Sequence, residues 1–227
     1  MAAVVKAWMP GAKRVPCAGP AGAHLQGGAP RAVWLTTESD PAALTARAVA
    51  QRLAGDGRLG HLVWNPRTGE TVQLLPATAP AAGELTAGAP DRACEGRVCI
   101  VVTVIGWSYA PFTDSPMCDL APILRWLDSW GVARRWPAGA PAAAPAHPRT
   151  RGCDERLWAR GGHFGHSQVP GAQSPSPGAV SPHRLLEPPE PPGRARSLTA
   201  PPPQPQALPA IEHSANGERH YAGAARG

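Results

Sequence analysis

Of the 22 basic residues only Lys6 and Lys13 are lysine, and phenylalanine and tyrosine occur twice each in 227 residues. No apolar run approaches the ~18 residues of a membrane-spanning helix, which argues against a membrane protein. The five cysteines (Cys17, Cys94, Cys99, Cys118 and Cys153) contain no C-x-x-C pair. A zinc knuckle is thereby excluded, and an odd number cannot form a complete disulfide framework. Arginines are scattered, with no block of like charge and no basic-aromatic motif, so a net charge of +6 does not amount to a nucleic-acid footprint. The opening stretch MAAVVKAWMPGAKR has no apolar core of a secretory signal. Synthesis in the cytoplasm is expected, with any export by a signal-free route. No internal repeat is present.

What the sequence has instead is Ala, Gly, Pro and Arg, all residues of GC-rich codons. Glycine and proline number 25 and 29, near the level at which unstructured chain is common. The eight tryptophans all fall between Trp8 and Trp158. After Leu186 the chain reads EPPEPPGRARSLTAPPPQPQALPA, with too few large apolar side chains to offset the entropy of ordering. The expectation is one domain over residues 1–186 and a disordered Pro-rich tail over 187–227, with soft stretches at 77–92 and 137–150.

Between these breaks the pattern predicts a small α/β domain with a mixed central sheet flanked by helices. Residues 32–37 (AVWLTT) read as a short buried strand. Asp40 reads as a cap followed by Pro41 at the first position of a helix that runs to about Ala54 and stops at Gly55. HLVW (61–64) and TVQLL (71–75) flank Asn65-Pro66-Arg67-Thr68-Gly69-Glu70, a hairpin with its turn chemistry in place. Residues 98–107 (VCIVVTVIGW) are apolar and β-branched, which predicts a central strand covered on both faces. A second helix, capped by Asp119 and ended by Gly131, carries Leu120, Ile123, Leu124, Leu127 and Trp130 at helical spacing.

The densest chemistry lies in WARGGHFGHSQVP, where His163 and His166 stand three apart among glycines, as on a loop. Imidazoles at a strand end can bind zinc, which lowers the pKa of a bound water to about 7. Taken alone, such a pair is more often two ordinary loop histidines, partly exposed, with one hydrogen-bonded locally.

Six collinear pieces carry a resemblance: AWMPGAKR, RAVWLTTESDP, HLVWNPRTGETVQLLPAT, EGRVCIVVTVIG, PILRWLDSWGV with WPAG, and RLWARGGHFGHSQVP with PGAV and RLL. Together they span most of residues 7–186, and GGHFGHSQVP is the most specific. The chain resembles the zinc-dependent N-acetylmuramoyl-L-alanine amidases, a family that includes peptidoglycan recognition proteins and phage endolysins, and looks closest to an actinobacterial branch. The resemblance implies a mixed sheet with packed helices and a shallow groove. It also implies a zinc ion held by two histidines and an Asp or Cys, and hydrolysis of the amide between N-acetylmuramic acid and L-alanine.

Transferred residue by residue, the ligand set is damaged. The family's W-H-T-T-E-S reads Trp34-Leu35-Thr36-Thr37-Glu38-Ser39, so Leu35 holds the first ligand position. His166 matches the second. The aspartate of H-W-D-P-G falls on Ser176, and Thr103 stands where a glutamate is expected in the central strand. Leucine has no lone pair and a neutral serine hydroxyl is a poor zinc ligand, so zinc should be weak or absent. Three outcomes stay open: an amidase-like protein of the cell wall, a muropeptide-binding module without catalysis, and a decaying homologue without function.

Other residues carry a functional and a plain reading side by side. His61 and His163, with Trp34, are candidates for a substrate groove; Trp64 and Trp107 are further candidates. A tryptophan on a strand is more often core. Glu38 and Asp40 suggest an acid–base pair, although Asp40 is better explained as a cap. Cys94 and Cys99 flank the start of the central strand and are a possible loop disulfide.

Overall fold

The structure is a computed structural model that describes residues 5–85, 92–143 and 152–187. The strands are β1 (Lys13–Arg14), β2 (Arg31–Thr36), β3 (Leu62–Trp64), β4 (Thr71–Gln73), β5 (Cys99–Val104) and β6 (Gly162–Gly165). They form one sheet in the order β1-β4-β3-β5-β2-β6. Every neighbouring pair is parallel except the β3/β4 hairpin. This is the mixed sheet that the hydrophobic runs predict.

The parallel centre explains the composition of its strands. β2 and β5 are buried at every position, so both faces demand apolar side chains and the alternation of a half-exposed strand is absent. On one face Trp34, Trp64, Ile100 and Val102 pack with Leu120, Ile123, Leu124 and Leu127 of helix α2 (Leu120–Ser129). On the other, Val63 and Val72 meet Val49 and Leu53 of helix α1 (Ala46–Gly55). Val33, Leu35, Val101 and Phe164 form a separate cluster there with Leu85 and with Trp158 of helix α3 (Glu155–Ala159). A last short helix, α4, covers Pro182–Leu186.

Three sequence expectations need correction. Helix α1 begins at Ala46, not after Asp40: Thr45 is its cap and accepts from Ala48 N at 3.1 Å. Asp40 instead accepts from Ala42 N inside a turn. Glu70, from the hairpin turn, accepts from Ala46 N at 2.7 Å, so part of the helix start is capped across 24 residues of chain. Asp119 does stand at the N-cap of α2, but in the left-handed region (φ 55°) and without a side-chain cap bond. Its carboxylate lies against Gly69, leaving no room there for a Cβ.

The third concerns the stretch at 77–92. Its described part, 77–85, is packed: Ala77, Ala81 and Leu85 are buried, and Leu59 and Ala82 exchange backbone bonds. Residues 86–91 lie outside the described residues, as do 144–151 of the second soft stretch and the tail from 188. Among the described residues no helix is long and apolar enough to cross a membrane.

Candidate functional site

Parallel register brings the three ligand positions of the resemblance together at the C-terminal end of β2. Trp34 pairs with Gly165, the last residue of β6, and the residues that follow these two in the chain are Leu35 and His166. Thr36 N donates to Ser176 Oγ at 2.6 Å, and Ser167 N donates to the Ser176 carbonyl at 2.6 Å. Ser176 is therefore bonded to the chain neighbours of both Leu35 and His166. Across the sheet Leu35 pairs with Thr103 of β5, the position where the resemblance expects a glutamate. The peptide bond from Ser176 to Pro177 is cis.

The side chains at these positions do not fit a zinc ion. Leu35 is buried in the apolar cluster with Val33, Ala81, Leu85 and Phe164, and offers no lone pair. His166 opens a short 3-10 turn, His166–Gln168. Burial, with the Arg58 charge adding to it, lowers its pKa to about 4, so the imidazole is neutral and its lone pair is free at pH 7. Thr103 Oγ1 is buried without a hydrogen-bond partner. Ser176 Oγ is within 3.0 Å of Thr36 Oγ1 as well as accepting from Thr36 N. One neutral imidazole and one engaged hydroxyl fall short of the three protein ligands that even open catalytic zinc sites keep. Among the described residues no group of three His, Cys, Asp or Glu side chains is placed to hold a metal.

The remaining candidates turn inward. Trp34, His61 and His163 are each 0% exposed, so none of them forms the wall of an open groove. His61 Nδ1 accepts from Val101 N at 3.0 Å, which leaves Nε2 protonated and donating to the Ala79 carbonyl at 2.9 Å. Its job is to pin the 77–85 stretch to the sheet. Burial lowers its pKa to about 4. His163 is on strand β6 and not on a loop; the flanking glycines, which suggest a loop, serve close packing. A Cβ on Gly162 would meet the Arg135 carbonyl, and one on Gly165 the ring of Pro177. Trp64 is buried too, whereas Trp107 lies beyond the end of β5, half-buried and stacked on the exposed Tyr109.

Of the polar frame around the site, sequence reasoning singled out only Glu38, and paired it with Asp40, which accepts from Ala42 N in its own turn instead. Glu38, at the left-handed φ of 52°, accepts from Thr36 Oγ1 at 2.6 Å, from Ser108 N at 3.1 Å and from Ser108 Oγ at 3.0 Å. Four consecutive polar residues, TTES, at a strand end were the available signal. Ser108, seventy residues away, gave none. Also missed was Arg58–Glu84 (2.9 Å), with a Glu84 side chain only 1% exposed. Desolvation raises the Glu84 pKa despite the arginine. The recess lined by Lys6, Pro10, Pro122, Arg125, Trp126 and Ser129 includes none of these residues.

Comparison with known proteins gives likenesses of fold. The ligand-bound hydrolase AmiA of Staphylococcus aureus superposes with a TM-score of 0.45 and 11% identity, over 70% of this chain and 66% of that one. The chain thus spans slightly less than two thirds of that neighbour's length. The Ph2119 endolysin, from the Thermus scotoductus MAT2119 bacteriophage Ph2119, gives 0.43 and 14%, over 74% and 90% of the two chains. A selenomethionine derivative of AmpD gives 0.40 and 16%, over 79% and 94%. No family model matches the chain, and no curated protein matches it.

Proposed function

We propose that the chain is a cell-wall protein of the peptidoglycan amidase type that lacks zinc-dependent hydrolysis, with muropeptide binding without cleavage as the second reading. The observation that carries this reading is the convergence of Leu35, His166 and Ser176 at one strand end. Three positions separated by up to 141 residues in sequence are those the resemblance assigns to ligands, and two of them hold a leucine, which has no lone pair, and a serine, a poor zinc ligand. The muramoyl–L-alanine amide is the bond the family motifs point to, and peptidoglycan is the polymer the proposed binder meets.

The test uses the full chain. After dialysis against trace zinc, elemental analysis should find far less than one zinc per chain. Wall-clearing should be absent, while sedimentation with insoluble peptidoglycan should retain the protein. One zinc per chain with release of stem peptides from muropeptide would overturn the loss of hydrolysis. A folded protein that stays in the supernatant would overturn the binding role.

A further inference from the structure

We infer that a hydrogen-bond clasp built from Ser176, Thr36, Glu38 and Ser108 closes this strand end in place of a metal ion. The inference rests on the reading above that Ser176 stands at a ligand position. A three-ligand metal site necessarily ties its three segments together; here the end of β2, the turn after β6 and the return segment at Ser176 are tied without one.

The direction of each bond follows from its neighbours. A carboxylate oxygen accepts, so the Thr36 hydroxyl donates to Glu38 Oε1 at 2.6 Å. With its proton committed, Thr36 Oγ1 accepts at 3.0 Å from Ser176 Oγ. Ser176 Oγ in turn accepts from Thr36 N at 2.6 Å. Residues 36 and 176 thus exchange two bonds in opposite senses, and that exchange requires a side chain able to donate and accept at one atom. Serine does this; an ionised aspartate accepts only. The serine is therefore matched to its new surroundings.

The outer half of the clasp holds Glu38 in the left-handed backbone region, which is strained for a non-glycine residue. Its carboxylate bridges Thr36 to both the N–H and the hydroxyl of Ser108. Glu38 is exposed, whereas Thr36, Ser108 and Ser176 are buried, so three of the four members would leave unpaired polar groups out of water if the clasp opened. Ser167 N, bonded to the Ser176 carbonyl, joins the turn that carries His166.

Amide hydrogen exchange on the full-length protein, read at Thr36, Ser108 and Ser167, tests this together with thermal melts in chelator and in zinc. Ser176→Ala should speed exchange at Thr36 by roughly tenfold, the size of one lost hydrogen bond, and should also raise it at Ser108. Thr36→Val keeps the N–H bond to Ser176 but removes the hydroxyl that holds Glu38, so it should raise exchange at Ser108 and Thr36→Ser should not, which keeps the test decisive if Ser176→Ala does not fold. The melting temperature of the unaltered protein should be the same in chelator and in zinc. Unchanged exchange at Thr36 and Ser108 in Ser176→Ala, and at Ser108 in Thr36→Val, would overturn the clasp and leave the metal-loss reading intact. A melt that falls in chelator and recovers with stoichiometric zinc would overturn that reading instead.

Discussion

The Trp34 indole donates its N–H to Nδ1 of His163 at 3.0 Å, a bond between two side chains that are both fully buried. Because indole nitrogen only donates, Nδ1 must be the unprotonated nitrogen and Nε2 carries the proton. Nε2 is buried with no hydrogen-bond partner. The imidazole is stacked on the Trp34 ring at 6.0 Å between centroids and on Trp136 at 6.3 Å. A cation there is strongly disfavoured, and burial lowers the His163 pKa to about 3.

Acid sensitivity follows from this residue and two others. His61, His163 and His166 have folded-state pKa values of about 4, 3 and 4, against an unfolded value near 6.5. Between these limits the unfolded chain binds more protons, so stability is complete above about pH 6.5 and is lost as pH falls toward 4. Each histidine contributes a slope of up to about 1.4 kcal/mol per pH unit. Melting temperature measured from pH 7 to pH 4 should fall throughout that window. A flat profile would refute the neutral, buried assignment.

Building in the ligand set of the resemblance is the direct check on the proposed metal positions. Leu35→His with Ser176→Asp places an imidazole beside His166 and a carboxylate at the end of β2. The folded double variant should take up close to one zinc per chain, where the unaltered protein takes up little. The aspartate cannot donate to Thr36, so the Thr36 hydroxyl should leave Glu38 and turn toward residue 176. Elemental analysis and amide exchange at Ser108 report the two effects separately.

Removing the His61 imidazole should be costly although it occupies none of the proposed ligand positions. His61→Phe keeps the bulk but leaves Val101 N–H and the Ala79 carbonyl without their partners. About 3 kcal/mol of stability should go, since two buried polar groups lose their bonds at ~1–3 kcal/mol each. A thermal or denaturant melt measures it, and proteolysis should begin within the loosened 77–85 stretch.

Gly178→Ala should be among the most damaging small substitutions. The residue has φ +77°, and its missing side chain is the space taken by the Ser108 backbone carbonyl. A methyl group there must push Ser108 away from Glu38 or reverse the turn after Pro177. A loss of about 3 kcal/mol or more is expected, in the range where backbone strain and steric conflict combine. Soluble yield and melting temperature are the readouts.

The strands and the hairpin were legible because their signals are local. A continuous β-branched run such as 98–104 suits only a strand buried on both faces, and β5 is that strand. Asn65 accepts from Arg67 N and Thr68 N within its own turn, as Asn at a hairpin corner does. The start of α1 was misread because Asp40-Pro41 has the same chemistry as a helix cap, while Thr45 wins with the help of Glu70 from across the hairpin. The 77–85 stretch, rich in Ala, Pro and Gly, carries no periodic pattern. It is ordered because Ala81 and Leu85 fill the surface over Leu35.

The residue types alone determined the α/β class, the two-sided burial of the central strands and the departure of Leu35 and Ser176 from the ligands that the resemblance implies, because propensity, hydrophobicity and donor chemistry belong to individual side chains. Only the tertiary structure decided that His163 is a buried strand residue and that His61 is a strap. It also decided that Ser176 has found a partner in Thr36. Those roles depend on which groups remain once water is excluded, and parallel register, not sequence neighbourhood, sets that company.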